Sequence, residues 1–178
     1  MIKTSIQPWY QGKIRLFSII GVIVTLAACS EANTKQKTVE TAIIPQGDLA
    51  MQIYKRESCG CCGGWVDHMN TSGFQTNVHN LEDLDPVKEK FNIDSKYQSC
   101  HTGVQEGFVF EGHVPANAVK KFLAAKPEGA IGLSVPGMPV GSPGMEMGER
   151  YDTYDVLLLK KDGTSEVYLT VTGPAKEV

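Results

Sequence analysis

Three of the five cysteines of this chain fall within four positions, Cys59-Gly60-Cys61-Cys62. Thiols crowded this closely must form a disulfide, hold a soft metal, or alternate between the two. Whatever fold the chain adopts therefore has to present these sulfurs together. The motif is a Cys-x-x-Cys pair, Cys59 and Cys62, with a third cysteine inside it, and Cys100 completes a four-sulfur set if the chain returns to the same place.

The fifth cysteine belongs to a different signal. Lys3, Lys13 and Arg15 make a positive start, Leu16 to Ala28 is an apolar run too short for a stable membrane span, and small residues precede Cys29. This reads as an export signal over residues 1–28, set against ordinary cleavage or an uncleaved anchor helix. Its end, Leu26-Ala27-Ala28-Cys29, resembles the bacterial lipoprotein box, which implies lipidation of Cys29 and, with Ser30 following, outer-membrane sorting if the cell is Gram-negative. Residues 29–48 then read as a polar, flexible tether, and 49–178 as one domain. The localisation implied is the cell envelope, facing the periplasm, with membrane contact through the lipid alone.

With Cys29 lipidated, the folded part keeps an even number of cysteines in a compartment where disulfides persist. Losing the three positive charges of the signal takes the net charge from −3 to about −6. That balance argues against a nucleic-acid partner.

Within the domain, short strands and helices alternate. Met51–Tyr54 reads as a strand, a helix runs from Cys61 or Cys62 to Ser72 and stops at Gly73, Phe74–Val78 is a second strand, and Leu84–Phe91 a second helix with Pro86 in its first turn. Cys100 to His113 reads as two strands joined at Gln105–Gly107, and Pro115–Ala125 as a third helix. Ile131–Val135 is a candidate strand. Pro136 to Met147 holds three prolines, three glycines and three methionines in twelve residues, which excludes a regular element. Tyr154–Lys160 and Ser165–Val171 form a hairpin turned at Asp162-Gly163. A strand, a loop ending in Cys-x-x-Cys and further β/α units is the pattern of an α/β, thioredoxin-like βαβ core, here with a Gly/Pro/Met-rich loop and an added C-terminal β-hairpin.

Four ordered motifs carry a family resemblance. Cys-Gly-Cys-Cys-Gly-Gly-Trp-Val-Asp-His-Met at 59–69, Ser-Cys-His-Thr at 99–102, Glu-Gly-His-Val-Pro at 111–115 and Gly-Leu-Ser-Val-Pro-Gly-Met-Pro-Val-Gly-Ser-Pro-Gly-Met at 132–145 resemble the bacterial family of predicted metal-binding proteins of unknown function that includes the copper-resistance protein CopG. The resemblance implies an envelope copper protein for resistance or homeostasis on a thioredoxin-like scaffold. It places copper on Cys59, Cys61, Cys62 and Cys100, and implies interconversion of Cu(I) and Cu(II) and copper-efflux or other envelope copper-handling proteins as partners.

The residues make a parallel case. Soft thiolates select Cu(I), and closely spaced cysteines can bridge more than one ion. Cys59-x-Cys61-Cys62 is too tight for paired zinc knuckles, and a helix amino terminus near Cys61 and Cys62 favours thiolate. His101, His68, His113, Met138 and Met145 are further candidate ligands, each with a plainer role: a surface residue for His101, capping or packing for the other histidines, gap-filling for the methionines. Met147 is a weaker candidate. Trp65 reads as core or as a lid over the sulfurs, and His79 as a solvated strand-end residue. The alternative function is a metal-free thiol-disulfide oxidoreductase using Cys59 as attacking thiolate and Cys62 as resolving thiol. Two structural disulfides, or a zinc-stabilised lipoprotein without redox role, complete the range.

Overall fold

The computed structural model describes residues 50–174. The export signal, Cys29, the tether and the domain boundary at 49 lie outside the described residues. Among those described, no helix is long and apolar enough to cross a membrane.

The element order is β1 (Met51–Lys55), α1 (Gly60–Thr71), β2 (Thr76–Asn80), α2 (Asp85–Lys90), a 3-10 turn (Ser95–Tyr97), β3 (His101–Gln105), β4 (Phe108–Gly112), α3 (Ala116–Ala125), β5 (Ala130–Val135), β6 (Tyr154–Lys160) and β7 (Ser165–Val171). The strands form one seven-stranded mixed sheet in the order β2-β1-β3-β4-β5-β6-β7. β1 pairs parallel with β2 and antiparallel with β3, β3 antiparallel with β4, and β4 parallel with β5. The hairpin β6–β7 extends the sheet antiparallel beyond β5.

Strand side chains alternate between faces, and the core follows that alternation. Met51, Ile53, Phe110, Leu133 and Leu158 pack with Trp65, Val66 and Met69 of α1 and Val119 and Phe122 of α3. Their strand neighbours Tyr54, Val104, Val109 and Leu159 point the other way and pack with Leu84 and Ile93 around α2. Two helices therefore cover one face and a short helix the other. Cys62, Trp65, Val66 and Met69 form the buried stripe of α1 at helical spacing. The helix ends where Gly73 takes a φ of +92° and Phe74 N–H returns to Met69 O at 3.0 Å.

Register decides where the chemistry gathers. Lys55, the last residue of β1, pairs with His101, the first of β3, and Gly112, the last of β4, pairs with Val135, the last of β5. The loops leaving β1, β4 and β5 and the segment entering β3 therefore meet at one end of the sheet. Carboxyl ends of parallel strands are where such sheets bind ligands. The four sequence motifs lie on those segments.

Candidate metal centre

Cys59 occupies the N-cap of α1, and Cys61 and Cys62 lie in its first turn. The first amide N–H groups of a helix lack helical partners. Cys59 and Cys62 are joined by a disulfide, their Cα atoms 5.4 Å apart, while Cys61 and Cys100 are free thiols. Cys61 Sγ lies 3.5 Å from Cys59 Sγ. Cys62 Sγ, which carries no proton in the disulfide, sits 3.7 Å from the carbonyl oxygen of Cys100. The Sγ atoms of Cys59, Cys61, Cys62 and Cys100 all lie within 4.8 Å of one another.

A second cluster shares Cys100. Its Sγ lies 3.2 Å from His101 Nδ1 and 3.1 Å from His113 Nε2, and these three donors again fall within 4.8 Å of one another. His113 Nδ1 donates to the carbonyl of Pro143 at 2.8 Å. A carbonyl only accepts, so the proton is on Nδ1 and the Nε2 lone pair faces Cys100. Metal-binding histidines are oriented in this way, the distal ring N–H fixed by a backbone carbonyl. Both rings are wholly buried, and burial holds His101 well below the ordinary histidine pKa and His113 below it as well. They are neutral donors at neutral pH. His101 Nε2 has no hydrogen-bond partner, and its ring tilts against Trp65 at 4.5 Å between centroids. Burial also pushes the Cys100 thiol up to about 11.

The remaining candidates separate. His68 Nε2 accepts from Ala116 N at 3.0 Å, so this side chain receives the amino terminus of α3. His79 is not merely solvated: it stacks on Tyr54 and bonds Gln52 at 2.8 Å, and belongs to neither cluster. Trp65 is fully buried core, its Nε1 donating to Val114 O at 2.8 Å. Met138 and Met147 are exposed, and Met145 is partly buried.

Residues 136–153 contain no strand or helix beyond an isolated bridge between Met147 and Arg150. The segment is nonetheless tied to the site. Gly144, at a φ of +85°, lies so close to α1 that a Cβ there would stand 2.4 Å from Cys61 O and 2.7 Å from Trp65 N. Only glycine allows this backbone-to-backbone approach. Pro143 O on His113 and Gly137 O on Ser99 Oγ (2.7 Å) fasten the same loop to the segments that leave β4 and enter β3.

Sequence reasoning missed Lys88 and Glu111. They form a buried ion pair between α2 and β4, 4% and 0% exposed, whose carboxylate also takes Ser99 N–H at 2.6 Å and Thr102 Oγ–H at 2.6 Å. The available signal was a charged residue set in the apolar strand Phe108-Val109-Phe110-Glu111. An acid on a core face needs a partner.

A mixed α/β domain that brings a cysteine cluster able to bind metal to one end of its sheet defines a class of metal-handling proteins. A family model described as a protein of unknown function, DUF411, matches residues 97–145. Two solved structures are similar over most of their length: copper resistance protein copG, form 1, is 41% identical with a TM-score of 0.66, covering 70% of this chain and 98% of that one. Form 2 is 40% identical with the same TM-score and coverage, 70% and 98%. No curated protein matches. The chain belongs to the DUF411 family, which includes copper resistance protein CopG, and the family expected from the motifs is borne out. Together with the cysteine cluster, the likeness supports a copper-related role.

Proposed function

We propose that this protein binds copper in the cell envelope for copper resistance or homeostasis, holding Cu(I) on Cys59, Cys61, Cys62 and Cys100 in a polynuclear site. The observation that carries the reading is the convergence of four sulfurs within 4.8 Å in a chain 41% identical to a copper resistance protein. Soft, closely spaced thiolates suit Cu(I) and can bridge several ions. His101 and His113 add neutral imidazoles on the Cys100 side, a mixed donor set that also suits Cu(II). Met138 and Met145, on the loop beside the site, are candidate thioether donors. The order β2-β1-β3-β4, with Cys59 and Cys62 at the head of α1, supports a thioredoxin-like core. The lipid anchor at Cys29 and an envelope copper-handling partner complete the proposal.

The disulfide supports the redox part of the reading. In the structure two of the four sulfurs are tied to each other, so holding copper on all four requires the reduced pair. Oxidising the two thiolates of Cys59 and Cys62 to the disulfide releases two electrons, the number that converts two Cu(II) to two Cu(I). Disulfide formation and Cu(I) binding at these sulfurs are therefore opposed, each weakening the other.

The same disulfide favours the second reading, a metal-free thiol-disulfide oxidoreductase using Cys59 and Cys62. Cys61 separates the two, because dithiol exchange has no use for a third sulfur. Cys61→Ser and Cys59→Ser variants of residues 30–178 are compared for bound copper, by metal analysis and thiolate-to-copper absorption, and for exchange with a model disulfide. Loss of copper in both variants is expected. Full copper in Cys61→Ser with exchange abolished only in Cys59→Ser, or zinc held against competing copper, would overturn the copper reading.

A further inference from the structure

Cys100 precedes the first ladder position of β3, where pairing begins at His101 with Lys55. Something other than the sheet must hold its sulfur against the other three. The segment around it is bonded on every side. Ser99 N–H donates to Glu111 Oε1 at 2.6 Å, Ser99 O accepts from Lys88 Nζ at 3.1 Å, and Ser99 Oγ donates to Gly137 O at 2.7 Å. On the far side of Cys100, Thr102 Oγ1 donates to Glu111 Oε2 at 2.6 Å and receives Lys88 Nζ at 3.4 Å. Lys88 and Glu111 close the ring by their own contact. Gly112, at a φ of +72°, completes the seat: a Cβ there would stand 2.6 Å from Ser99 Cβ.

A buried ion pair is a poor source of stability, since apolar replacements are often neutral or better. What this pair does supply is a fixed set of donors and acceptors for the two residues that bracket Cys100 and His101. We infer that Lys88 and Glu111 are positioning residues that set Cys100 against Cys59, Cys61 and Cys62, and that the copper site is four-sulfur only while the pair is intact. The inference rests on the copper reading for its consequence, though its geometric core does not.

The test uses Glu111→Gln, Lys88→Met and Cys100→Ser, singly and combined, with folding followed by circular dichroism. The first reading needs no copper. In protein with the Cys59–Cys62 disulfide intact, alkylation of Cys100 speeds up roughly tenfold in Glu111→Gln while Cys61 is unchanged, because reactivity follows exposure and thiolate character. The second is Cu(I) affinity, which falls about 10–100-fold in Glu111→Gln, as loss of a supporting residue does. Glu111→Gln then costs nothing further in the Cys100→Ser background, the mark of residues acting through one another. Unchanged Cys100 alkylation in folded Glu111→Gln, or additive losses in the double variant, overturns the inference. Should Glu111→Gln fail to fold, Lys88→Met/Glu111→Leu removes both charges together and carries the same readings. If the parent protein binds no copper, the copper reading fails while the alkylation comparison still decides the positioning role.

Discussion

Cys100 and His113 face each other across 3.1 Å, sulfur to Nε2, with the imidazole proton committed to the carbonyl of Pro143 on the opposite side of the ring. A thiol and a neutral ring nitrogen so placed form a hydrogen bond when the site is metal-free. When a metal displaces the thiol proton, the same two atoms are presented to it without rotation of either side chain. His113→Gln removes this aimed lone pair. Its Cu(I) affinity is expected to fall at least roughly tenfold, in line with losses at oriented metal-site histidines, and competition with a Cu(I) chelator measures it.

Copper uptake should depend on pH through Cys100. Burial raises its pKa to about 11, so at neutral pH the metal-free site carries a thiol there and binding must release that proton. Apparent affinity then rises with pH, by up to about tenfold per unit for that proton, until the thiol ionises. Chelator competition at pH 6, 7 and 8 checks the slope, and Cys100→Ser should make it shallower.

The metal-free domain should weaken in mild acid. The folded-state pKa values of His101 and His113 lie below the ordinary histidine value because the rings are desolvated. The unfolded chain therefore takes up protons first as pH falls through about 6.5, and stability drops by up to about 1.4 kcal/mol per pH unit for each ring. The stability is present above that pH and lost below it. Urea denaturation at pH 7.5 and 5.5 reads the difference, and a flat profile would count against buried neutral rings.

Gly144→Ala should loosen the loop that leans on α1. The added Cβ meets Cys61 O at 2.4 Å and Trp65 N at 2.7 Å, both backbone atoms, at a φ of +85°. Strain of this kind costs about 1–3 kcal/mol if the loop stays, and less if it lifts. Faster proteolysis within residues 136–147, with the β6–β7 hairpin intact, is the expected outcome.

Local chemistry made much of the fold legible. The turns Gln105–Gly107 and Asp162-Gly163 each end in a glycine at positive φ, Gly107 at +81° and Gly163 at +80°, and both hairpins, β3–β4 and β6–β7, stand where the turns place them. α1 begins at Gly60, just before the expected start at Cys61 or Cys62, with Cys59 as N-cap despite lacking a capping side-chain bond. β2 begins at Thr76, two residues after Phe74, because the residues after Gly73 are used in ending the helix. The crowding of Cys59, Cys61 and Cys62 was readable from cysteine spacing, while the return of Cys100 to them was indicated only by the thioredoxin-like pattern and the family resemblance. The Lys88–Glu111 pair and the His68 contact with α3 were not, because each joins residues far apart in sequence and no periodicity marks them.

The sheet has a second end, away from both of the metal-capable clusters found among the described residues. β1 starts there, and both hairpin tips, Glu106-Gly107 and Asp162-Gly163, are exposed at it. A fluorophore, an affinity handle or an electrode linker installed at either tip would stand at the end of the sheet opposite the sulfurs. Voltammetry of an immobilised molecule, with the end that gathers the cysteines left open to solution, is therefore a practical route to its potentials.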